Sequence, residues 1–83
     1  MNAKKKFPSL ASLDAGDLRR LLRRSTLARE DRQIAISCLQ WDMAYVDVGA
    51  AVGMDRRTVS RHMNELIAPE LERLMYKDSR QAV

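Results

Sequence analysis

Residues 44–66 read AYVDVGAAVGMDRRTVSRHMNEL, and this stretch decides the fold. Gly53 follows an apolar segment, and a glycine there can adopt the left-handed conformation that ends a helix in a tight turn. Gly49 lies one helical turn earlier, where two helices that cross beside a short turn leave little room for a side chain. Asp55 is a favourable N-cap for a second helix. The stretch therefore predicts a helix-turn-helix over residues 44–66.

The second helix of this pair has a basic exposed face. Val59 and Met63 are four residues apart and predict its buried side. No acidic residue occurs from Arg56 to Asn64. In a helix-turn-helix the N-terminal half of the second helix enters the DNA major groove, where Arg can bond guanine and Asn can bond adenine. We therefore expect contacts to double-stranded DNA from Arg56, Arg57, Thr58, Ser60, Arg61 and Asn64.

The whole chain is expected to be all-α. Only three glycines, two prolines and few aromatic residues occur in its 83 residues, and β-branched residues are sparse, which argues against a sheet. The pattern predicts a small helical domain of four to five helices over residues 10–77. A flexible basic arm at 1–9 and a frayed tail at 78–83 are expected on either side of it.

Two helices are predicted before the helix-turn-helix. Asp14 is a good N-cap for the first, which runs to about Arg24 and has an apolar stripe of leucines. The second opens at Ser25 or Thr26 and closes at residues 41–43. Its inward stripe comprises Leu27, Ile34, Cys38 and Trp41.

A last helix is predicted after Pro69. Proline disfavours helical geometry in the residue before it, so the second helix of the helix-turn-helix is expected to kink or end near Ala68. An apolar stripe then follows at Leu71, Leu74 and Met75. These side chains either fold back on the leucines of the first helix or form the seam of a homodimer, and packing within one chain is slightly favoured.

The formal net charge is +4, and its distribution is uneven. Residues 1–24 hold seven Lys and Arg against two Asp. Lys4, Lys5 and Lys6 are either part of a disordered terminus, which is the commoner case, or contacts to DNA phosphates beside the reading helix.

Neither catalysis nor metal or cofactor binding is expected. Cys38 is the only cysteine and falls on an apolar stripe, which favours a buried structural thiol. His62 is the only histidine, and it suits packing or a phosphate contact. Acidic pairs occur in the first turns of predicted helices, where the helix dipole explains them. No apolar run reaches the length of a membrane span, so a cytoplasmic protein is expected.

Residues 31–66 resemble the C-terminal promoter-reading domain of bacterial RNA polymerase sigma factors, and phage or mobile-element regulators built on it. Three segments carry the resemblance: Asp31-Arg32-x-Ile34, Tyr45-x-Asp47-Val48-Gly49-x-x-Val52-Gly53 and Arg57-Thr58-Val59-Ser60-Arg61-His62-Met63. The resemblance implies that the second helix reads a promoter element through Arg56, Arg57, Ser60, Arg61 and Asn64. Gly49 replaces the usual alanine of the family, a change expected to be tolerated at some cost in helix propensity.

Two classes of function remain open at this stage. The first is a sequence-specific DNA-binding transcriptional regulator of phage or mobile-element type, and a DNA-packaging or recombination accessory would share its DNA-binding helices. The second is a protein-interaction module that grips RNA polymerase or another host nucleic-acid machine, such as a defence nuclease, as an inhibitor or appropriator. The basic exposed face favours the first class.

Overall fold

The computed structural model describes the backbone of residues 3–81 and the side chains of residues 3–77, and within these bounds it is helical with no strand. Two π-helical segments are continuous with α-helices. They are Ile36–Gln40, after α4, and Met63–Ile67, between α6 and α7. The α-helices are α1 (Ala3–Lys6), α2 (Pro8–Ala11), α3 (Ala15–Arg24), α4 (Arg29–Ala35), α5 (Tyr45–Val52), α6 (Arg56–His62) and α7 (Ala68–Gln81).

The helix does not end before Pro69, which was one of the two predicted outcomes there. The chain stays helical from Arg56 to Gln81, so residues 3–81 form six continuous helices instead of four to five. The N–H of Ala68 donates to the carbonyl of Met63, five residues back, which is the π-helical spacing. A proline ring clashes with the carbonyl four residues before it in an α-helix. We attribute the wider turn to Pro69, since it relaxes that clash without ending the helix.

Residues 3–9, predicted as part of a flexible basic arm, are largely helical and pack on the core, while residues 1 and 2 lie outside the described part of the chain. Ala3 is fully buried and Leu10 is almost so, and Phe7 packs against the same core. Ala3, Phe7 and Leu10 recur at i, i+4 and i+7, which is a helical stripe. This stripe anchors α1 and α2 on the core, and α1 packs on the π-helical segment Ile36–Gln40.

The second predicted helix begins later and ends differently. It starts at Arg29, and its N-cap Ala28 makes no side-chain cap. The carboxylate of Glu70 on α7 instead accepts from the backbone N–H of Thr26, at 2.8 Å. Trp41 was expected on the buried stripe, but its surface is 63% exposed. The π-helical turn before it rotates the following residues relative to an α-helical stripe, so Trp41 faces outward.

The first predicted helix is confirmed, and α7 packs against it. Helix α3 has Asp14 as its N-cap, with Oδ1 accepting from the N–H of Asp17 at 2.7 Å. Leu71 and Leu74 of α7 are buried in one core with the leucines of α3, and Met75 is packed at its edge. The stripe therefore packs within one chain, which is the alternative that the sequence slightly favoured.

Helix α7 extends into the segment predicted as a frayed tail. Residues 78–81 of the predicted frayed tail belong to α7, and residues 82 and 83 lie outside the described part of the chain. No helix between residues 3 and 81 combines the length and the apolar character needed to cross a membrane.

The position of Cys38 in the core predicts an inert thiol. Cys38 is fully buried, and burial raises the pKa of its thiol to about 12. Because the thiolate is the reactive form, we expect Cys38 of the folded protein to resist an aromatic disulfide reagent at about pH 8. One thiol per chain should react at once when the same sample is unfolded in guanidinium, as read by absorbance. Rapid reaction under native conditions would contradict this burial.

Candidate nucleic-acid interface

A three-residue turn joins α5 and α6. Gly53 ends α5 with φ of 77° and ψ of 30°, the left-handed conformation that favours glycine. The carbonyl of Gly49 accepts from the N–H of Gly53 and from that of Met54, the latter at 2.9 Å. These two bonds give the carbonyl of Gly49 hydrogen-bond partners in the last turn of α5, where backbone carbonyls otherwise lack them. The predicted end of this helix at Val52 is confirmed.

The turn after α5 approaches residue 49 so closely that this residue has to be glycine. A Cβ atom on residue 49 would lie 2.3 Å from the carbonyl oxygen of Met54, which is a backbone atom. Gly49 is therefore required sterically in this conformation. The sequence-based expectation treated glycine as a tolerated replacement for alanine, but alanine does not fit at this position, and the cost in helix propensity is secondary to the clash.

Asp55 sets the start of α6. Its Oδ1 accepts from the N–H of Thr58 at 2.7 Å, which confirms the predicted N-cap. This backbone hydrogen bond, and the bond from the Thr58 hydroxyl, lower the pKa of the Asp55 carboxyl, and the charge of Arg57 adds to the effect. The cap fixes the first turn of α6, which carries the predicted DNA contacts.

Three arginines of α6 are exposed and without a fixed partner. Arg56, Arg57 and Arg61 all lie on the solvent side of the helix. Among the side chains that the structure describes, none forms a hydrogen bond or a salt bridge with these guanidinium groups. The buried side of the helix is held by Val59 and Met63, as predicted. The arginines are therefore available to a ligand.

The other predicted contacts of this face are less exposed. Thr58, Ser60 and Asn64 are half-buried. The Nδ2 of Asn64 donates to Oγ of Ser60 at 3.3 Å, while its Oδ1 is buried without a hydrogen-bond partner. Asn64 lies in the π-helical segment after α6, one turn beyond the arginines. An adenine contact from Asn64 would require its side chain to turn outward.

A groove of about 470 Å³ runs beside the arginines, between α6, the start of α5 and the end of α1. Ser60 lines it on the α6 side, and Lys6 lines it on the α1 side. Lys5 and Lys6 are exposed, and Lys4 is half-buried. The Nζ of Lys6 lies 6.0 Å from the centre of the Phe7 ring, a cation–π distance. The lining residues are Lys6, Ala44, Tyr45, Val46, Arg56, Arg57 and Ser60.

Sequence reasoning missed part of this groove. Tyr45 and Val46 line it at the start of α5, and Val46 is 60% exposed although apolar. A count of polar and charged residues could not have found them. The run of three lysines also led the sequence analysis to predict an arm, whereas α1 is a helix that brings Lys6 to the groove.

His62 is bound inside the fold instead of on the basic face. Its Nδ1 lies 2.6 Å from Oδ1 of Asp31, which belongs to α4 and is mostly buried. This contact joins α4 to the C-terminal end of α6. Of the two expectations for His62, packing fits this position better than a phosphate contact does.

No family model, no curated protein and no solved structure matches the chain. Among the side chains of residues 3–77, no three His, Cys, Asp or Glu are grouped so that they could hold a metal ion.

The capping carboxylate of Asp55 predicts an acid-sensitive start to α6. Because the pKa of Asp55 is lowered in the folded state, its contribution to stability is present above the unfolded pKa of about 4 and is lost as pH falls through the folded value. Asn also caps helices but does not titrate, so Asp55→Asn should show a smaller loss of stability between about pH 5 and about pH 2. Denaturant unfolding across this range measures the difference, and equal pH dependence in both proteins would contradict it.

Proposed function

We propose that this protein binds double-stranded DNA in a sequence-specific way, with α5 and α6 acting as a helix-turn-helix. The single observation that carries the proposal is the exposed face of α6. It presents Arg56, Arg57 and Arg61 without partners among the described side chains, on a helix whose start is capped by Asp55. Arginine is the side chain most often used to bond guanine in the major groove. In the proposed complex the first half of α6 enters that groove.

The neighbouring groove suits one phosphate strand of the same duplex. Its α5 side begins at Ala44 and Tyr45, where the positive end of the helix dipole favours anions. Lys6 faces this helix start across the groove and adds a full positive charge. A strand seated there would be held by contacts that carry no base information, while α6 reads the bases.

The resemblance to promoter-reading domains extends the proposal to transcription. A protein of this kind binds a site near a promoter and changes the access or the recruitment of RNA polymerase. A regulator from a phage or mobile element is the form that the resemblance favours. The alternative, a module that binds a host protein directly, remains an outcome of the test below.

Selection of bound duplexes from a random pool tests the proposal. We expect one sequence motif to be enriched, and a palindromic motif would indicate binding as a dimer. Affinity for the selected duplex should fall with salt by about 0.9 log units per log unit of salt for each phosphate contacted. If no duplex is enriched and no salt-dependent binding is seen, the DNA-binding proposal is wrong and the protein-interaction alternative is favoured.

A charge-matched variant separates specific contacts from general attraction. Arg20 lies on α3 and forms a salt bridge with Asp17 at 3.2 Å. Arg20→Ala removes the same charge as Arg56→Ala but does not touch the groove beside α6. We expect Arg56→Ala to weaken duplex binding and Arg20→Ala to leave it nearly unchanged.

A further inference from the structure

A second basic groove lies on a different part of the molecule. Arg19 and Arg23, four residues apart on α3, meet Arg32 of α4 around a groove of about 310 Å³. Leu22 and Ile36 complete its lining. None of the five lining residues carries a carboxylate. Leu22 is almost fully buried, so the groove combines three positive charges with the exposed part of Ile36.

The three arginines have no counter-ion among the side chains that the structure describes. Among the side chains of residues 3–77, none forms a hydrogen bond or a salt bridge with Arg19, Arg23 or Arg32. Asp17, the one acidic residue of α3, is instead bonded to Arg20. Bringing three like charges to one groove costs energy unless an anion binds there.

Helix electrostatics account for two of these three residues. Arg23 lies in the last turn of α3, where a cation stabilises the negative end of the helix dipole. Arg32 lies in the last turn of α4, where the same effect applies, but Arg19 lies in the middle of α3, so neither dipole explains its position. The convergence of the three arginines is a property of the tertiary fold.

This groove is separate from the proposed DNA-binding face. The groove beside α6 is lined by residues of α1, α5 and α6 and of the turn before α5, whereas the second is lined by α3, α4 and the π-helical segment after α4. No residue lines both. A ligand of the second groove can therefore be distinct from DNA.

We propose that the second groove docks an acidic, amphipathic segment of a partner protein. Charge complementarity selects the partner: two or more carboxylates would pair with the guanidinium groups of Arg19, Arg23 and Arg32. An apolar side chain between the carboxylates would cover the exposed part of Ile36, in the way that the apolar side chains of a helix dock into a groove. A sugar-phosphate strand would satisfy the arginines but leave the exposed part of Ile36 in contact with charged, hydrated groups, so a protein segment fits better.

Peptide display provides the test. A library of random twelve-residue peptides is selected for binding to the folded protein, with counter-selection against the double variant Arg19→Gln and Arg23→Gln. We expect the recovered peptides to carry at least two Asp or Glu on either side of an apolar residue. Their affinity, measured by fluorescence anisotropy, should fall at least about tenfold in the double variant, because two charge-assisted pairs are lost.

A matched variant on the same helix controls for net charge. Arg20→Gln with Arg24→Gln removes two positive charges at the same spacing but outside the lining of the groove. Peptide affinity should change less than about twofold in this variant, since long-range attraction alone is screened by salt. Circular dichroism of both variants verifies that the helical fold is kept.

Two results would overturn the proposal. One is a set of recovered peptides without acidic residues, or with affinity that the two double variants reduce equally. The other concerns duplex binding. If the double variant Arg19→Gln with Arg23→Gln loses as much duplex affinity as Arg57→Ala does, the second groove contacts nucleic acid. Because the peptide assay contains no DNA, its outcome is independent of whether α6 binds a duplex.

Discussion

Gly49→Ala is expected to lower the free energy of unfolding by about 3 kcal/mol, at the upper end of the usual cost of overpacking. The new Cβ would lie 2.3 Å from the carbonyl oxygen of Met54. A flexible side chain could move aside, but this oxygen belongs to the turn that holds α5 against α6. The clash therefore has to separate the two helices or distort the turn. Urea unfolding followed by circular dichroism measures the loss, which is large beside a typical total of about 5–15 kcal/mol.

Gly16→Ala is the matched control for this prediction. A Cβ at residue 16 would lie 3.4 Å from Oδ1 of Asp14, an ordinary contact with an exposed side chain. Alanine also raises helix propensity there, so this variant should be as stable as the wild type or slightly more stable. If the two alanine variants have the same midpoint of denaturant unfolding, the close contact between residue 49 and the carbonyl of Met54 is contradicted.

Arg57→Ala combined with Arg61→Ala is expected to raise the Kd for the selected duplex at least about 30-fold. Each bidentate contact to a base contributes about 1–3 kcal/mol of discrimination, and losses at separate base pairs add approximately. The two arginines are four residues apart on the exposed face of α6, which places them on successive turns within one groove. Fluorescence anisotropy with a labelled duplex at fixed salt measures the change.

The specificity of this loss separates base contacts from phosphate contacts. If Arg57 and Arg61 bond bases, the double variant should lose discrimination between the selected duplex and single-base changes in it. Arg20→Ala with Arg24→Ala on α3 removes the same charge and should retain that discrimination. Equal weakening by both pairs would show that α6 contributes only general electrostatic attraction.

The local features of α5 and α6 were predictable because they depend on neighbours in the chain. The end of α5 at Val52, the left-handed Gly53 and the cap at Asp55 all follow from side chains within a few residues. The exposed arginines followed from the four-residue spacing of Val59 and Met63, which assigns the buried side of α6. Such short-range rules need no knowledge of the tertiary fold.

The features that were missed depend on contacts between distant residues. Trp41 faces outward and Pro69 lies within a helix because two turns widen to π-helical geometry, and local propensity does not signal this change. Lys6 belongs to an ordered helix because Ala3 and Leu10 find a core built by later segments. The pairing of Asp31 with His62 spans 31 residues of the chain, so neither residue alone predicts it.

The unbroken helical run from Arg56 to Gln81 connects the proposed DNA-contacting residues of α6 directly to the end of α7. Its 26 residues span about 40 Å, so a tilt of a few degrees at α6 becomes a displacement of ångströms at the end of α7. The π-helical turn at Met63–Ile67 is the part of this helical run where bending has the lowest energy cost. We attributed that turn to Pro69. This proline therefore influences how far a movement of α6, when it binds a ligand, also moves α7.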